Sequence, residues 1–291
     1  EEDMISGNAK VCGVIGNPVG HSLSPLMQNY FAEALGLDFI YVPCNVKNNQ
    51  IEAAIQGIYA LGFWGLNVTV PHKQSIMPYL KEIDQAALSI QAVNTLVRID
   101  GGYKGYNTDA AGLYRALKGH GIEVEGQDCL LLGAGGAAKA AAYMLMEKMA
   151  RSITILNRTF EKAETLAGEM NRLFGREIMT AMPLGDYEML KKDSYLAIQT
   201  TSVGMHPQVD AVAIEDREFY KKIHTGVDII YTPKETRFMK LVREANGRAV
   251  NGLDMLIYQG IIAFELWNPK IQISKEITDK VRQMMEEKLK G

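Results

Sequence analysis

The stretch from Cys129 to Leu145, "CLLLGAGGAAKAAAYML", most constrains what this chain can become. An apolar run enters Gly133-Ala134-Gly135-Gly136-Ala137-Ala138 and leaves as an alanine-rich helix. That is the strand, tight turn and helix order of a dinucleotide fingerprint. Gly133 allows the turn, Gly135 lets backbone approach a pyrophosphate, and Ala138 stands where a third glycine often keeps helix and strand close. The exposed N–H groups and positive end of the helix then suit phosphate. A glycine turn also serves close packing alone, so the next strand matters. "SITILNRT" ends in Asn157-Arg158-Thr159, about 20 residues on, where NAD binders usually carry Asp or Glu for the ribose 2′-hydroxyl. An arginine there fits a 2′-phosphate instead, which points to NADP ahead of NAD.

Around this unit, short β-branched runs alternate with amphipathic ones, the pattern of an α/β protein with parallel strands. Strands are expected at "KVCGVIG", "IYVPCNV", "GLNVTV" and in the hairpin "NTLVRIDGGYKGY". After Asn107 they are expected at "CLLLGAG", "SITILNR", "EIMTAM", "YLAIQTTS" and "GVDIIY". Helices are expected from near Pro25, Asn49, Pro71 and Thr108, and over "DMLIYQGIIAFELW" and "SKEITDKVRQMMEEKL". At 291 residues the chain reaches the range, about 250–300, where one core gives way to two domains.

Composition excludes several functions. A net charge of −3 without runs of lysine or arginine offers no footprint for nucleic acid or an anionic membrane. "AAAYMLM" is cut short by Glu147 and Lys148, too short to span a bilayer. Cys12, Cys44 and Cys129 form no CxxC spacing and sit in strand-like runs, so buried free thiols in a reducing cytoplasm are expected. The histidines show no ligand spacing, and no metal is expected. Met4 is the expected natural start, with no signal pattern around it.

Two further clusters carry polar residues where apolar ones would serve. In "GNPVGHSLSPLMQNYFAEALG", Ser24 before Pro25 reads as a helix N-cap, with Leu26, Met27, Tyr30, Phe31, Ala34 and Leu35 as the buried stripe. Capping does not explain Ser22, and two hydroxyls at a helix start also form a receptor for a small carboxylate. Both readings stand. In "GLNVTVPHK", period two puts Asn67 and Thr69 on one face and turns Val68 and Val70 toward a core. Pro71 then opens a helix that carries Lys73 at the end of the strand, either a solvated lysine or an ammonium placed to give and recover a proton. Asn94 in "AVNTL" and Asp109 in "GYNTDAAG" follow, the latter either helix-start chemistry or part of a cleft.

Taken in order, "GNPVGHSLSP", "NVTVPHK", "AVNTL", "GYNTDAAG", "GAGGAAKA", "NRT", "TTSVGM", "DIIYTPKET" and "NGLDMLIYQG" resemble shikimate dehydrogenases over nearly the whole chain. The resemblance implies an α/β fold of two domains. One is an N-terminal mixed-sheet α/β substrate domain (1–106 with 255–291); the other is a Rossmann-like NADP-binding domain (107–254). It implies reversible, NADPH-dependent reduction of 3-dehydroshikimate to shikimate in aromatic amino-acid biosynthesis, by a cytoplasmic monomer or homodimer. It also implies Ser22 and Ser24 on the substrate carboxylate, Asn67, Thr69, Asn94 and Gln259 on its hydroxyls, and Tyr231 lining the pocket. Lys73 and Asp109 would be the catalytic pair. The nucleotide would meet Gly133, Ala134, Gly135, Gly136, Ala137, Asn157, Arg158, Thr159, Thr201, Val203, Gly204 and Gly252.

The chain departs from the commonest pattern at Gln28, Gln91, Gln199 and Thr200. Gln28-Asn29 also occurs in quinate/shikimate dehydrogenases, so a dual enzyme using NAD or NADP is the alternative. A non-catalytic sensor is disfavoured by the presence of both Lys73 and Asp109, and a folate-pathway dehydrogenase by the paired serines.

Overall fold

The computed structural model describes residues 5–290, so Met4 lies outside the described residues. The chain forms two compact units, one of residues up to Thr108 together with those from Ile257 onward, the other Asp109–Leu256.

The first unit holds strands β1 (Lys10–Gly16), β2 (Phe39–Asn45), β3 (Gly65–Val68), β4 (Glu82–Ile83), β5 (Thr95–Ile99) and β6 (Gly102–Tyr106). They lie in the order β2-β1-β3-β5-β6-β4. β1 pairs in parallel with β2 and β3, whereas β5 is antiparallel to both β3 and β6, so the sheet is mixed. Parallel β1 and β2 need a crossover, supplied by α1 (Ser24–Ala34); β5 and β6 need only the turn at Asp100-Gly101, where Gly101 adopts φ +74°. Helices α2 (Ile51–Ala60), α3 (His72–Ser75) and α4 (Gln85–Ile90) follow in this unit. Alternation along β1 feeds two cores. Ile15 joins Ile51, Ile55, Ile58, Leu66, Val68 and Leu96, while Cys12 and Val14 join Tyr41, Ala263 and Trp267 on the other face.

In the second unit, α5 (Asp109–Gly119) leads into β7 (Asp128–Leu132), α6 (Gly136–Glu147), β8 (Ser152–Asn157), α7 (Phe160–Phe174) and β9 (Met179–Pro183). The chain then returns through β10 (Tyr195–Gln199), α8 (Arg217–Tyr220), β11 (Ile223–Asp228), α9 (Arg237–Glu244) and β12 (Arg248–Val250). All neighbours are parallel, in the order β12-β11-β10-β7-β8-β9. Strand order therefore reverses between β7 and β10, the doubly wound arrangement whose ligand crevice opens at that switch point. Every residue of β7 and β10 is buried, as central strands of a parallel sheet are when both faces are covered.

The last two helices are α10 (Leu253–Trp267) and α11 (Lys275–Lys288). The change of unit, between Leu256 and Ile257, falls inside α10. Trp267 is fully buried in the first unit, and its indole Nε1 donates to Leu96 O at 2.8 Å. Gly65 makes room for it, because a Cβ there would lie 2.0 Å from that nitrogen. Among the described residues no helix is long and apolar enough to cross a membrane.

Three expectations need correction. The buried face of α1 is Met27, Gln28, Phe31 and Ala32, while Ala34 is exposed. Gln28 lies inside because its Nε2 donates to Gly260 O at 2.9 Å. The proline of "VPHK" precedes a helix of only four residues, with Pro71 at the cap position. β11 starts at Ile223, before the "GVDIIY" run, and stops at Asp228, because its ladder with β10 begins at Tyr195 and ends at Gln199.

Candidate active site

The polar strand end of the first unit is a closed hydrogen-bond network. Asn67 is buried; its Oδ1 accepts from the Tyr41 hydroxyl at 2.7 Å, and its Nδ2 donates to Asn94 O at 3.2 Å and Thr95 Oγ1 at 3.1 Å. Asn94 is buried as well. Its Nδ2 donates to Thr108 Oγ1 at 2.9 Å, while its Oδ1 accepts from Thr108 N at 2.9 Å and from Thr95 Oγ1 at 3.0 Å. These amides hold one another, which is what permits polar groups in so dry a place. Burial pushes the Tyr41 phenol well above its usual range, while the nearby Ser24 hydroxyl acts the other way. Tyr41, Asn67, Asn94 and Thr108 thus form one hydrogen-bonded chain.

Ser24 does not cap α1. It is the first helical residue, Leu23 occupies the cap position in a helical conformation, and no side chain bonds there. The Ser22 hydroxyl instead accepts Ser24 N–H at 3.2 Å, tying the two serines together. Beyond Val68 the strand ends, so period two lapses and Val70 is 69% exposed rather than turned to the core. Thr69, half-buried, donates its N–H to Ile15 O at 2.9 Å, and Gly16 leaves the space its methyl needs. The chain turns directly, with His72 N donating to Thr69 O at 2.9 Å. His72 is buried with Nε2 2.6 Å from Val46 O. Next to it Lys73 is half-buried, and its carbonyl accepts from Val93 N at 2.8 Å. Gln259 is half-buried on the part of α10 that belongs to this unit. Tyr41, Thr95 and Thr108 complete the network without having been singled out from sequence; in isolation each reads as an ordinary strand or loop residue.

Asp109 and Tyr231 belong to the second unit. Asp109 opens α5 and is half-buried. Burial raises the Tyr231 phenol above its ordinary value.

At the switch point, Gly133 adopts φ +110°, and its N–H donates to Leu156 O at 2.9 Å. A Cβ there would lie 2.7 Å from Thr200 Oγ1, so the turn is both left-handed and crowded. Gly135 occupies the cap position of α6 without a side chain to bond, and neither Gly135 nor Gly136 would bring a Cβ within 4 Å of anything. The first-turn N–H groups of α6 therefore face room for an anion, flanked by part-buried Ala134 and Ala137. Ala138 is fully buried beneath them. At the end of β8, Asn157 Nδ2 donates to Thr159 O at 2.7 Å and shapes the turn that presents exposed Arg158 and Thr159. These groups fit a dinucleotide with an added phosphate. The cradle is backbone with open space, among the described residues, where side chains of Gly135 and Gly136 would stand, and the nearby guanidinium is exposed.

Thr201, Val203 and Gly204 follow β10. The Thr201 hydroxyl is turned inward, donating to Gln199 Oε1 at 2.6 Å, and leaves Val203 exposed beyond it. Gly204 is buried at φ +102°. Gly252 has a packing reason, since a Cβ there would lie 1.9 Å from Ile229 O.

Residues 14–96 match the family model of the shikimate dehydrogenase substrate-binding domain, 116–222 that of shikimate/quinate 5-dehydrogenase, and 252–271 that of the shikimate 5′-dehydrogenase C-terminal domain. A shikimate dehydrogenase (NADP(+)) of Methanothermobacter thermautotrophicus is 43% identical over 287 residues, 96% of this chain and 99% of the relative. A crystal structure of a shikimate dehydrogenase in complex with NADP+ matches with a TM-score of 0.86 at 38% identity, covering 97% of each chain. The shikimate 5-dehydrogenase of Listeria monocytogenes, in complex with shikimate and NAD, matches with a TM-score of 0.88 at 30% identity, covering 97% of this chain and 98% of that one. With the three family models matched in order along the chain and a relative 43% identical over 96% of it, the protein belongs to the shikimate dehydrogenase family.

Proposed function

We propose that the protein is an NADP-dependent shikimate dehydrogenase, reducing 3-dehydroshikimate reversibly to shikimate, with Lys73 as its general acid and base. The observation that carries the reading is the hydrogen-bonded chain Tyr41–Asn67–Asn94–Thr108 at the end of the strand that runs into Lys73, in the same unit as the tied serines Ser22 and Ser24. It presents fixed hydroxyl and amide groups suited to a polyol acid, beside an ammonium. Ser22 and Ser24 bind the carboxylate; Asn67, Thr69, Asn94 and Gln259 bind hydroxyls, and Tyr231 lines the pocket.

NADPH, when bound, would supply the hydride; the Gly133–Ala137 turn, Asn157, Arg158 and Thr159, together with Thr201, Val203, Gly204 and Gly252, are the residues that would hold it. As the carbonyl carbon accepts that hydride, negative charge grows on its oxygen. The Lys73 ammonium stabilises this charge and delivers the proton that completes the hydroxyl; in the reverse direction its amine removes that proton. Asp109 accepts a hydrogen bond from a substrate hydroxyl and orients it. Three free thiols, two of them fully buried, support placement in the cytoplasm.

Steady-state rates measured with shikimate and quinate, each with NADP and NAD, test the reading. Shikimate with NADP is expected to give the highest kcat/KM, and equal use of quinate would overturn the assigned specificity. Lys73→Ala is expected to lower kcat by about 10³-fold while shikimate still binds, because the acid acts on the transition state. Unchanged turnover would remove Lys73 from the mechanism.

A further inference from the structure

Gln199 is buried at the carboxyl end of β10, beside the strand where sheet order reverses. A carboxamide offers two acceptor positions and two donors, and this one uses all four. Its Oε1 accepts from Thr201 N at 2.7 Å and from Thr201 Oγ1 at 2.6 Å; its Nε2 donates to Thr201 O at 3.1 Å and to Asp228 Oδ1 at 3.3 Å. The Thr201 hydroxyl passes the restraint on by accepting Val203 N–H at 3.2 Å. Asp228, fully buried at the end of β11, is itself fixed. Its Oδ1 accepts from Ile230 N at 3.0 Å and its Oδ2 from Thr236 Oγ1 at 2.6 Å, and Thr236 caps α9. On the other side, Thr200 Oγ1 donates to Leu132 O at 2.7 Å, at the end of β7. The segment leaving β10 is therefore tied to strands on both sides of the crevice.

We propose that Gln199 is a positioning residue of the dinucleotide site: its carboxamide clamps the Thr201–Val203 segment onto Asp228 and sets the backbone that the nucleotide meets. The proposal rests on the reading of Thr201, Val203 and Gly204 as nucleotide contacts. The reach of a glutamine is essential. An asparagine, one methylene shorter, brings its carboxamide less far toward Asp228 from the same backbone position, and the Asp228 bond is already the longest of the four at 3.3 Å. The clamp borders the switch point, where a dinucleotide lies across an open parallel sheet, so loosening it acts on nucleotide binding before it acts on the polyol acid.

The test compares the wild-type protein with Gln199→Leu and Gln199→Asn in two measurements. Amide hydrogen exchange in the nucleotide-free protein reports on the Thr201 and Val203 N–H groups. NADP titration and steady-state kinetics report on the site. Faster exchange at both amides is expected, with KM for NADP raised about tenfold in the leucine variant and about threefold in the asparagine variant, and KM for shikimate unchanged. A general structural defect would raise both KM values together, and that outcome overturns the proposal. Unchanged exchange overturns the clamp. Faster exchange with unchanged NADP affinity overturns the reading of the segment as a nucleotide contact, and the positioning role falls with it. Should the leucine variant fail to fold, the asparagine variant alone carries both measurements.

Discussion

The two candidate site regions are built on opposite plans. In the first unit the groups are side chains already bonded to one another, with Asn67 and Asn94 buried and each holding several partners. In the second unit the groups are backbone, stripped of side chains at Gly135 and Gly136 and open to whatever approaches. A ring of hydroxyls is distinguished by where each lies, so its receptor must be rigid before binding. A pyrophosphate asks only for convergent N–H groups and space. Side-chain networks are expensive to break, whereas an open turn is cheap to alter and sensitive only in function.

The sharpest way to break this contrast is Asn94→Leu. It leaves the buried Thr108 N–H without its acceptor and the Asn67 side of the network disturbed, at an expected cost of about 4 kcal/mol in urea unfolding. A loss below about 1 kcal/mol would show that the network is not what holds the strand end.

Asp228 sharpens the comparison from the other unit, since there a buried carboxylate is the exception among backbone groups. Burial raises its pKa from 3.8 to about 6, while Thr236, Ile230 and Gln199 pull it back. Below about pH 3 both folded and unfolded forms are neutral and nothing is lost. As pH rises from there toward 6 the unfolded form ionises first, so the stability that the neutral side chain confers is lost through that window. Relative to Asp228→Asn, the wild-type protein is therefore expected to lose about 3 kcal/mol between pH 3 and pH 7. His120, which lines a small hollow together with Asp228, and Tyr220 are common to both proteins, so the difference isolates Asp228. A pH-independent gap between the two denaturation curves would show that the carboxyl is not titrating there.

The smallest effect on stability is the most informative about function. Gly133→Ala is expected to cost about 1–2 kcal/mol, for its left-handed φ. Gly135→Ala, at an ordinary φ with nothing within 4 Å, is expected to change stability by less than about 0.5 kcal/mol yet to weaken NADP binding. Full NADP affinity in that variant would mean that phosphate does not approach there.

Much of this was readable from residue order, for reasons that differ by element. β7, its glycine turn and α6 announce themselves because local chemistry alone dictates them. Gln28 did not, because the carbonyl that makes its burial tolerable belongs to Gly260, 232 residues away. Val70 was misread because alternation says nothing about where a strand stops. β4 and β12 escaped notice because two and three residues are too few to show a period. At the site, Asn67 and Asn94 stood out as polar residues in apolar surroundings, but the Tyr41 hydroxyl and Thr108 that hold them emerge only when distant strands are laid side by side.

Trp267 sets an order of events during synthesis. It seals one face of the first sheet against Gly65 and Leu96, yet it leaves the ribosome after the whole second unit has been made. The lobe that begins the chain must therefore wait, with that face uncovered, while the middle of the protein becomes able to fold by itself. The earliest strands thus complete their core only once α10 has followed the second unit.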